Sequence, residues 1–473
     1  MRPHSTRAVY FAVGIAIVGL GAAFTLLFAP PRIVPIGDEA DYLRAATHQA
    51  RSGVHSSAPI SEPAPRPDAY REPGYPFLLA TAWRLGGVDL PRTEAEWLDD
   101  PSSPAARSVR LLGALLLALT AAVGAAAVQG AGGGFVASVA TAALVTASPA
   151  LRQAALTPAS EGLTAALVTL VAFAWIRGVT HPTWRWVALS GVAAGLVPLT
   201  RGATLVLIPT GAVLMLLAPR ALPLGRRLRR AALFSLLALA PSAAWMMRNL
   251  EVTGSLVLAD RSGQVLYSRA ELDRQIAHEG LLPAVAAWTP VEALRRAGAS
   301  RWPDATFSRY EWRGEGNFFT RSLRRWHAER RPPADPIAAD RRLGREAMGD
   351  FIASPMRHLI ATAAVAWRGL FAERSPETLS PLDLTFVVAL FLAGAIVRAG
   401  WLALRGRDFR LAAFVAGPVA LFLFHALLTE FLPRFGVPAL PLAWGAVALA
   451  ICGVDRDPGR RERNQEELRQ RAS

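Results

Sequence analysis

The sequence predicts an all-α polytopic membrane protein with about 10–11 transmembrane helices and two long loops on one face. Three observations carry this. Of the 473 residues, 52% are hydrophobic and the mean hydropathy is +0.29, too apolar for a soluble enzyme of this size. The apolar residues fall in blocks long enough to cross a bilayer. The charges gather between the blocks, and short arginine-rich loops recur on one side.

The elements follow in order. Residues 1–31 make an N-terminal span: 8–31 carry no charge, lie between Arg7 and Arg32, and match a hydrocarbon core of ~30 Å. A signal-peptide core is only ~7–15 residues, so a retained anchor is expected. Residues 32–106 form the first long loop, with an acidic motif and interfacial helices. Residues 107–248 hold spans 2–7. The stretch 111–151 is uncharged and is interrupted by "GAGGG" at Gly130–Gly134, which reads as two spans and a tight turn. Further apolar runs lie at about 161–176, 186–200, 203–218 and 231–247. Residues 249–380 form the second long loop. Within it, 345–371 shows helical spacing of Met348, Phe351, Ile352, Met356, Leu359 and Ile360. The part at 356–372 fits either an interfacial helix or an eleventh crossing. Residues 381–454 hold the last three spans, at 384–404, 411–429 and 436–453, and 455–473 form a basic tail.

Short-loop arginines set the orientation. "PRALPLGRRLRR" (219–230), "RGRDFR" (405–410) and the tail fall on one side if ten spans are present. That side is cytoplasmic, both termini with it. The two long loops are then extracytoplasmic, and the expected location is the plasma (inner) membrane. Formal net charge is +15, and all 51 basic residues are Arg, so arginine frequency alone does not mark a phosphate site. Cys452 is the single cysteine, which excludes an internal disulfide; at the end of the last run it reads as a packing residue.

The first loop opens with "GDEADY", three carboxylates next to a membrane boundary in a basic chain. Asp38, with Asp41 three positions on, suits the start of a helix, where early carboxylates meet the positive helix end. A carboxylate there also serves as a general base for an acceptor hydroxyl. Tyr42 closes the motif. "YREPGYPFLLATAWRLGG" (70–87) combines a rigid turn with an apolar segment too short to span. Arg71 then lies at headgroup depth, either snorkelling or gripping a lipid phosphate. Arg110, Arg201, Arg248 and Arg434 recur at outer span ends, a poor place for arginine unless an anion is bound there. Glu161, after "TPAS", reads as a cap or an edge carboxylate. His425 reads as a bundle packing residue. No metal-spaced His/Cys cluster, Walker loop or dinucleotide fingerprint occurs, and no nucleic-acid partner is expected.

The order "GDEADYLRAA", "REPGYPFLLA", "ARSVRLLGALL", "SPALRQAALTPASEGL" resembles that of the C-type (GT-C) membrane glycosyltransferases. Within them it is most like family 39, which includes dolichyl-phosphate-mannose protein mannosyltransferases and bacterial aminoarabinose lipid A transferases. "LTRGAT", "MRNLEVTGSLVL" and "LPRFGVPALP" are similar to recurring pieces of that group. The likeness covers residues 8–260 and, loosely, the last two spans; 261–355 carries none.

The resemblance implies a GT-C fold and an inverting transfer from a polyprenyl-phosphate sugar donor to an envelope acceptor: lipid, glycan or protein. It implies Asp38 as base, with Glu39 positioning the acceptor or a divalent metal. It implies Arg71 as a donor-phosphate ligand, at a position that is Lys in the aminoarabinose transferases. On this mechanism Arg201 or Arg248 would assist Arg71. Arg110, Tyr42, Glu161 and Arg434 are further candidates. Two ligands do not establish a metal, so no cofactor is assigned. The alternatives are a polytopic transporter, a non-catalytic envelope assembly protein, or a polymerase or ligase of envelope glycans. Membrane lipids are partners in every case.

Overall fold

The structure, a computed structural model, describes residues 38–454 apart from 101, 219–221, 311–315, 332–334 and 374–383. The predicted first span and basic tail lie outside the described residues. Among the described residues, helices alone make up the regular structure.

The first loop holds α1 (Asp38–Ser52), α2 (Gly74–Gly86) and α3 (Glu94–Asp99). The bundle then runs through α4 (Pro104–Gly130), α5 (Phe135–Ala147), α6 (Pro149–Leu156), α7 (Ser160–Thr180) and α8 (Trp184–Leu196). A 3-10 turn (Gly202–Val206) leads into α9 (Leu207–Leu217) and α10 (Leu224–Thr253). The second loop carries α11 (Ser262–Glu279), α12 (Leu281–Trp288), α13 (Glu292–Arg301), α14 (Asp304–Ser308), α15 (Phe318–Glu329), α16 (Pro336–Ala353) and α17 (Pro355–Gly369). The chain closes with α18 (Leu384–Gly406), α19 (Phe409–Leu428), a 3-10 turn (Pro433–Ala439) and α20 (Leu440–Cys452).

Among the described residues, six helical segments are long and apolar enough to cross a membrane: Pro104–Gly130, Ser160–Thr180, Leu224–Thr253, Leu384–Gly406, Phe409–Leu428 and Pro433–Cys452. The pair α5 and α6, bent by 56° at Ser148, makes a seventh if it is counted as one broken span rather than a re-entrant loop. The expected count of ten is not reached among the described residues. One expected span lies before residue 38. The runs at 186–200 and 203–218 became the short helices α8 and α9, because the turn and 3-10 segment at residues 197–206 take up the end of the first run and the start of the second. The 345–371 piece is also two helices, broken where Pro355 follows Ser354. At 15 residues, α17 is too short to cross. Cys452 is exposed rather than packed, since it ends α20 on the outside of the bundle.

Small residues let the helices approach closely. α8 packs on α10 through Gly195, where a β-carbon would stand 2.6 Å from the Ala238 carbonyl oxygen. Arg230 is 1% exposed, and its guanidinium donates to the carbonyls of Gly178 (2.6 Å) and Ala218 (2.9 Å), near the ends of α7 and α9. It thereby satisfies helix-terminal carbonyls that lack partners in their own helices. At the bend after α5, Glu373 accepts from Ser148 Oγ (2.5 Å), the Ala150 amide (3.3 Å) and Trp444 Nε1 (2.6 Å). A broken helix with a buried carboxylate is also what a transporter offers. Here those three donors use the carboxylate to close the break.

Helix direction places the candidate site. α7 carries Glu161 in its first turn, α10 carries Arg226 in its first turn and Arg248 near its end, and α19 starts after Asp408 and ends two residues before Glu430. Residues 161, 201, 261 and 434 thus share one end of the bundle with α1. The arginine-rich start of α10 lies at the other end, where Arg230 meets the last turn of α7.

Candidate active site

Asp38, Glu39 and Asp41 occupy the first turn of α1, where the positive helix end favours carboxylates. The face of α1 bearing Tyr42, Leu43 and Ala46 packs against Tyr75, Leu79 and Trp83 of α2. Trp83 is buried and donates to Ser108 Oγ (2.6 Å), so α2 is anchored to α4 on one side. Its other side exposes Phe77 and Leu85, as an interfacial helix does.

Three guanidinium groups converge on Asp38. Arg71 Nη2 donates to Oδ1, Arg261 Nη1 donates to Oδ1 (3.1 Å), and Arg434 Nη2 donates to Oδ2 (2.6 Å). Arg71 also grips Asp41 Oδ2 through Nε (3.1 Å) and Nη2 (2.6 Å), and it is 7% exposed, so it does not snorkel. Its position is fixed further by His55, whose Nε2 lies 3.0 Å from the Arg71 carbonyl oxygen while Nδ1 lies 3.0 Å from Gln49 Nε2. Burial pushes His55 down to about 4, which keeps it neutral at neutral pH.

Arg201 Nη1 pairs with Glu161 (3.1 Å), and Arg434 Nε lies 4.0 Å from the same carboxylate. Glu161 is therefore an ion-pair partner at the start of α7. The Arg201 guanidinium lies 4.5 Å from the Phe435 ring centroid. Tyr42 donates to Ser160 Oγ (3.0 Å), and burial pushes its phenol up to about 12.

Burial alone would raise Asp38. The charges of Arg71, Arg434 and Arg261 outweigh it and hold the carboxyl well below the usual carboxylate range. The guanidinium groups are not saturated. Nε of Arg261 and Nε of Arg434 are buried and have no hydrogen-bond partner among the described residues. A buried donor without an acceptor is costly, so an acceptor oxygen that reached these N–H groups would be stabilised.

Next to the cluster, a cavity of about 310 Å³ is lined almost wholly by apolar side chains, among them Leu392, Ile396, Phe422, Phe431, Phe435 and Leu440. Phe435 borders both regions. A metal fits the cluster poorly: both oxygens of Asp38 already face cationic donors, which would repel a divalent ion. Among the described residues, no group of three or more His, Cys, Asp or Glu side chains is placed to hold one.

No family model matches the chain, and no curated protein matches it in sequence. In structure it is similar to the archaeal oligosaccharyltransferase AglB from Archaeoglobus fulgidus in complex with an inhibitory peptide and a dolichol-phosphate. The TM-score is 0.49 at 14% identity, over 94% of this chain and 50% of that one. It is also similar to ArnT from Cupriavidus metallidurans bound to undecaprenyl phosphate, with a TM-score of 0.38 at 18% identity, over 93% of this chain and 78% of that one. The chain thus spans about half the length of the oligosaccharyltransferase.

Of the residues singled out by sequence, Asp38, Arg71, Arg201, Glu161, Tyr42 and Arg434 come together at this end of the bundle. Glu39 lies beside Asp38 in the first turn of α1. Arg248 does not join the cluster: it donates to the carbonyls of Asp68 and His55 and to Asn249 Oδ1 (2.9 Å), and so ties α10 to the first loop. Arg110 is buried in α4, its Nε without a partner among the described residues. Sequence reasoning missed Arg261 and the part played by Asp41. Asp41 was visible in "GDEADY", three positions after Asp38 on the same helix face. Arg261 carried no local signal.

Proposed function

We propose that the protein is an integral membrane glycosyltransferase of the GT-C type. It moves a sugar from a polyprenyl-phosphate donor to an envelope acceptor on the extracytoplasmic side of the plasma membrane. The observation that carries this reading is the convergence of Arg71, Arg261 and Arg434 on Asp38, with two buried N–H donors still lacking acceptors. A carboxylate able to take a proton stands beside cations able to hold an anion.

The chemistry follows from that juxtaposition. An acceptor hydroxyl attacks the anomeric carbon while the bond from that carbon to the phosphate oxygen breaks. The hydroxyl proton passes to Asp38, and the electron pair leaves with the polyprenyl phosphate. The guanidinium groups stabilise the charge that grows on the leaving oxygen. A single displacement inverts the anomeric centre. The apolar cavity beyond Phe435 suits a lipid tail, and its volume lies within the ~300–1,000 Å³ of ligand pockets. Arg201, stacked on Phe435, sits where headgroup and tail would divide.

The test compares lipid-linked sugars and envelope glycans in cells with the protein, without it, and with Asp38→Asn. Loss of the protein should leave a polyprenyl-phosphate sugar unspent and one envelope glycan unmodified. Asp38→Asn should reproduce that loss, by roughly 10²–10⁴ in rate, with the protein still inserted. Unchanged lipids in the deletion strain would refute the reading.

A further inference from the structure

Arg261 reaches Asp38 from the second long loop, and that loop holds it by means other than the cluster itself. Asp340, on α16, is 3% exposed. It accepts from the backbone amides of Gly263 (2.8 Å) and Gln264 (2.9 Å), in the first turn of α11, and from the indole Nε1 of Trp326 (2.8 Å) on α15. A carboxylate from another helix thus caps α11. The contact is also steric: a β-carbon on Gly263 would stand 1.8 Å from the Asp340 carbonyl oxygen.

Arg261 is the residue just before that capped turn. Its guanidinium lies 5.4 Å from the Tyr70 ring centroid and 5.9 Å from that of Trp326. Arg330 stacks on Trp326 at 4.2 Å and pairs with Asp260 (2.8 Å). The Asp260 amide donates to the Ala69 carbonyl (2.8 Å), two residues before Arg71. Backbone and side chain of Arg261 are therefore both fixed from the outer helices.

We propose that Asp340 is a positioning residue for phosphate recognition: it caps α11 and orients Trp326, and through both it aims Arg261 at the anion position beside Asp38. This rests on the donor reading above and gives α15 and α16 a task in it. An arginine left to itself samples many rotamers, so restraining it raises affinity without a new contact.

The probe is a polyprenyl phosphate, offered to the full-length protein in detergent beside the polyprenol of equal length. Wild type should prefer the phosphate. Arg261→Ala should weaken phosphate binding by about tenfold or more, as loss of a charge-assisted hydrogen bond does. D340N should weaken it in the same direction and leave polyprenol binding unchanged. D340N added to Arg261→Ala should cost nothing further, because the group it aims is gone. In transfer assays D340N should raise the donor KM and leave the pH profile of kcat in place. Should D340N not be recovered folded, Trp326→Phe keeps an aromatic ring, removes one of the three bonds and carries the same test. Wild type that does not distinguish phosphate from alcohol would overturn the donor reading. Wild type that does, with D340N binding like wild type or weakening Arg261→Ala by its full factor, would overturn the positioning role alone.

Discussion

Asp38 is a weak base while three guanidinium groups hold it, and a transferase needs it stronger at the moment of attack. On the proposed function, an arriving donor phosphate would compete for those same guanidinium groups. As they turned to it, Asp38 would lose the interactions that depress it, and burial would then raise its proton affinity. Donor would therefore bind before acceptor. The expected signature is an acid limb in kcat at higher pH than the acid limb in kcat/KM for the donor. Coincident limbs would contradict it. His55 gives a separate pH effect. Its folded value of about 4 is below the ordinary 6.5, so the unfolded chain binds the extra proton. Stability should be full above pH 6.5, fall as pH drops through that window, and level off near 4, for a total of about 3 kcal/mol. Thermal unfolding of His55→Gln against pH should lack this slope. Asp38 and Arg71 were legible in the sequence because each sits in a short motif with its own local chemistry. Arg261 was not, because its partner is 223 residues away and it is one of 51 arginines.

At the scale of elements, the long apolar runs were readable, since hydropathy and length alone define them. The breaks were harder. Met348 to Ile360 keep a helical period across Ser354–Pro355, so the pattern does not reveal that two helices share it. The roles of buried arginines were likewise hidden by the number of arginines. Arg230 tests this directly. Arg230→Ala strips a charged donor from the last turn of α7 and the end of α9 and should cost about 2–4 kcal/mol in thermal unfolding. Arg229→Ala, one position away and exposed, should change stability by less than about 0.5 kcal/mol. Equal effects would remove the capping role.

For the whole molecule, the candidate site and the arginine-rich loops lie at opposite ends of the bundle, and the proposed topology puts the site outside the cell. In a Cys452→Ala background, a cysteine at the exposed Glu62 should react in intact cells with a membrane-impermeant thiol reagent. A cysteine at Arg226, also exposed, should react only after lysis. The reverse pattern would invert the topology. The most direct measurement of the central claim is release of free polyprenyl phosphate. Purified protein is given lipids extracted from cells that lack it, together with acceptor membranes. Wild type should release polyprenyl phosphate, while Asp38→Asn should still bind it and release none. No release by wild type, or release by Asp38→Asn at the wild-type rate, would contradict the account.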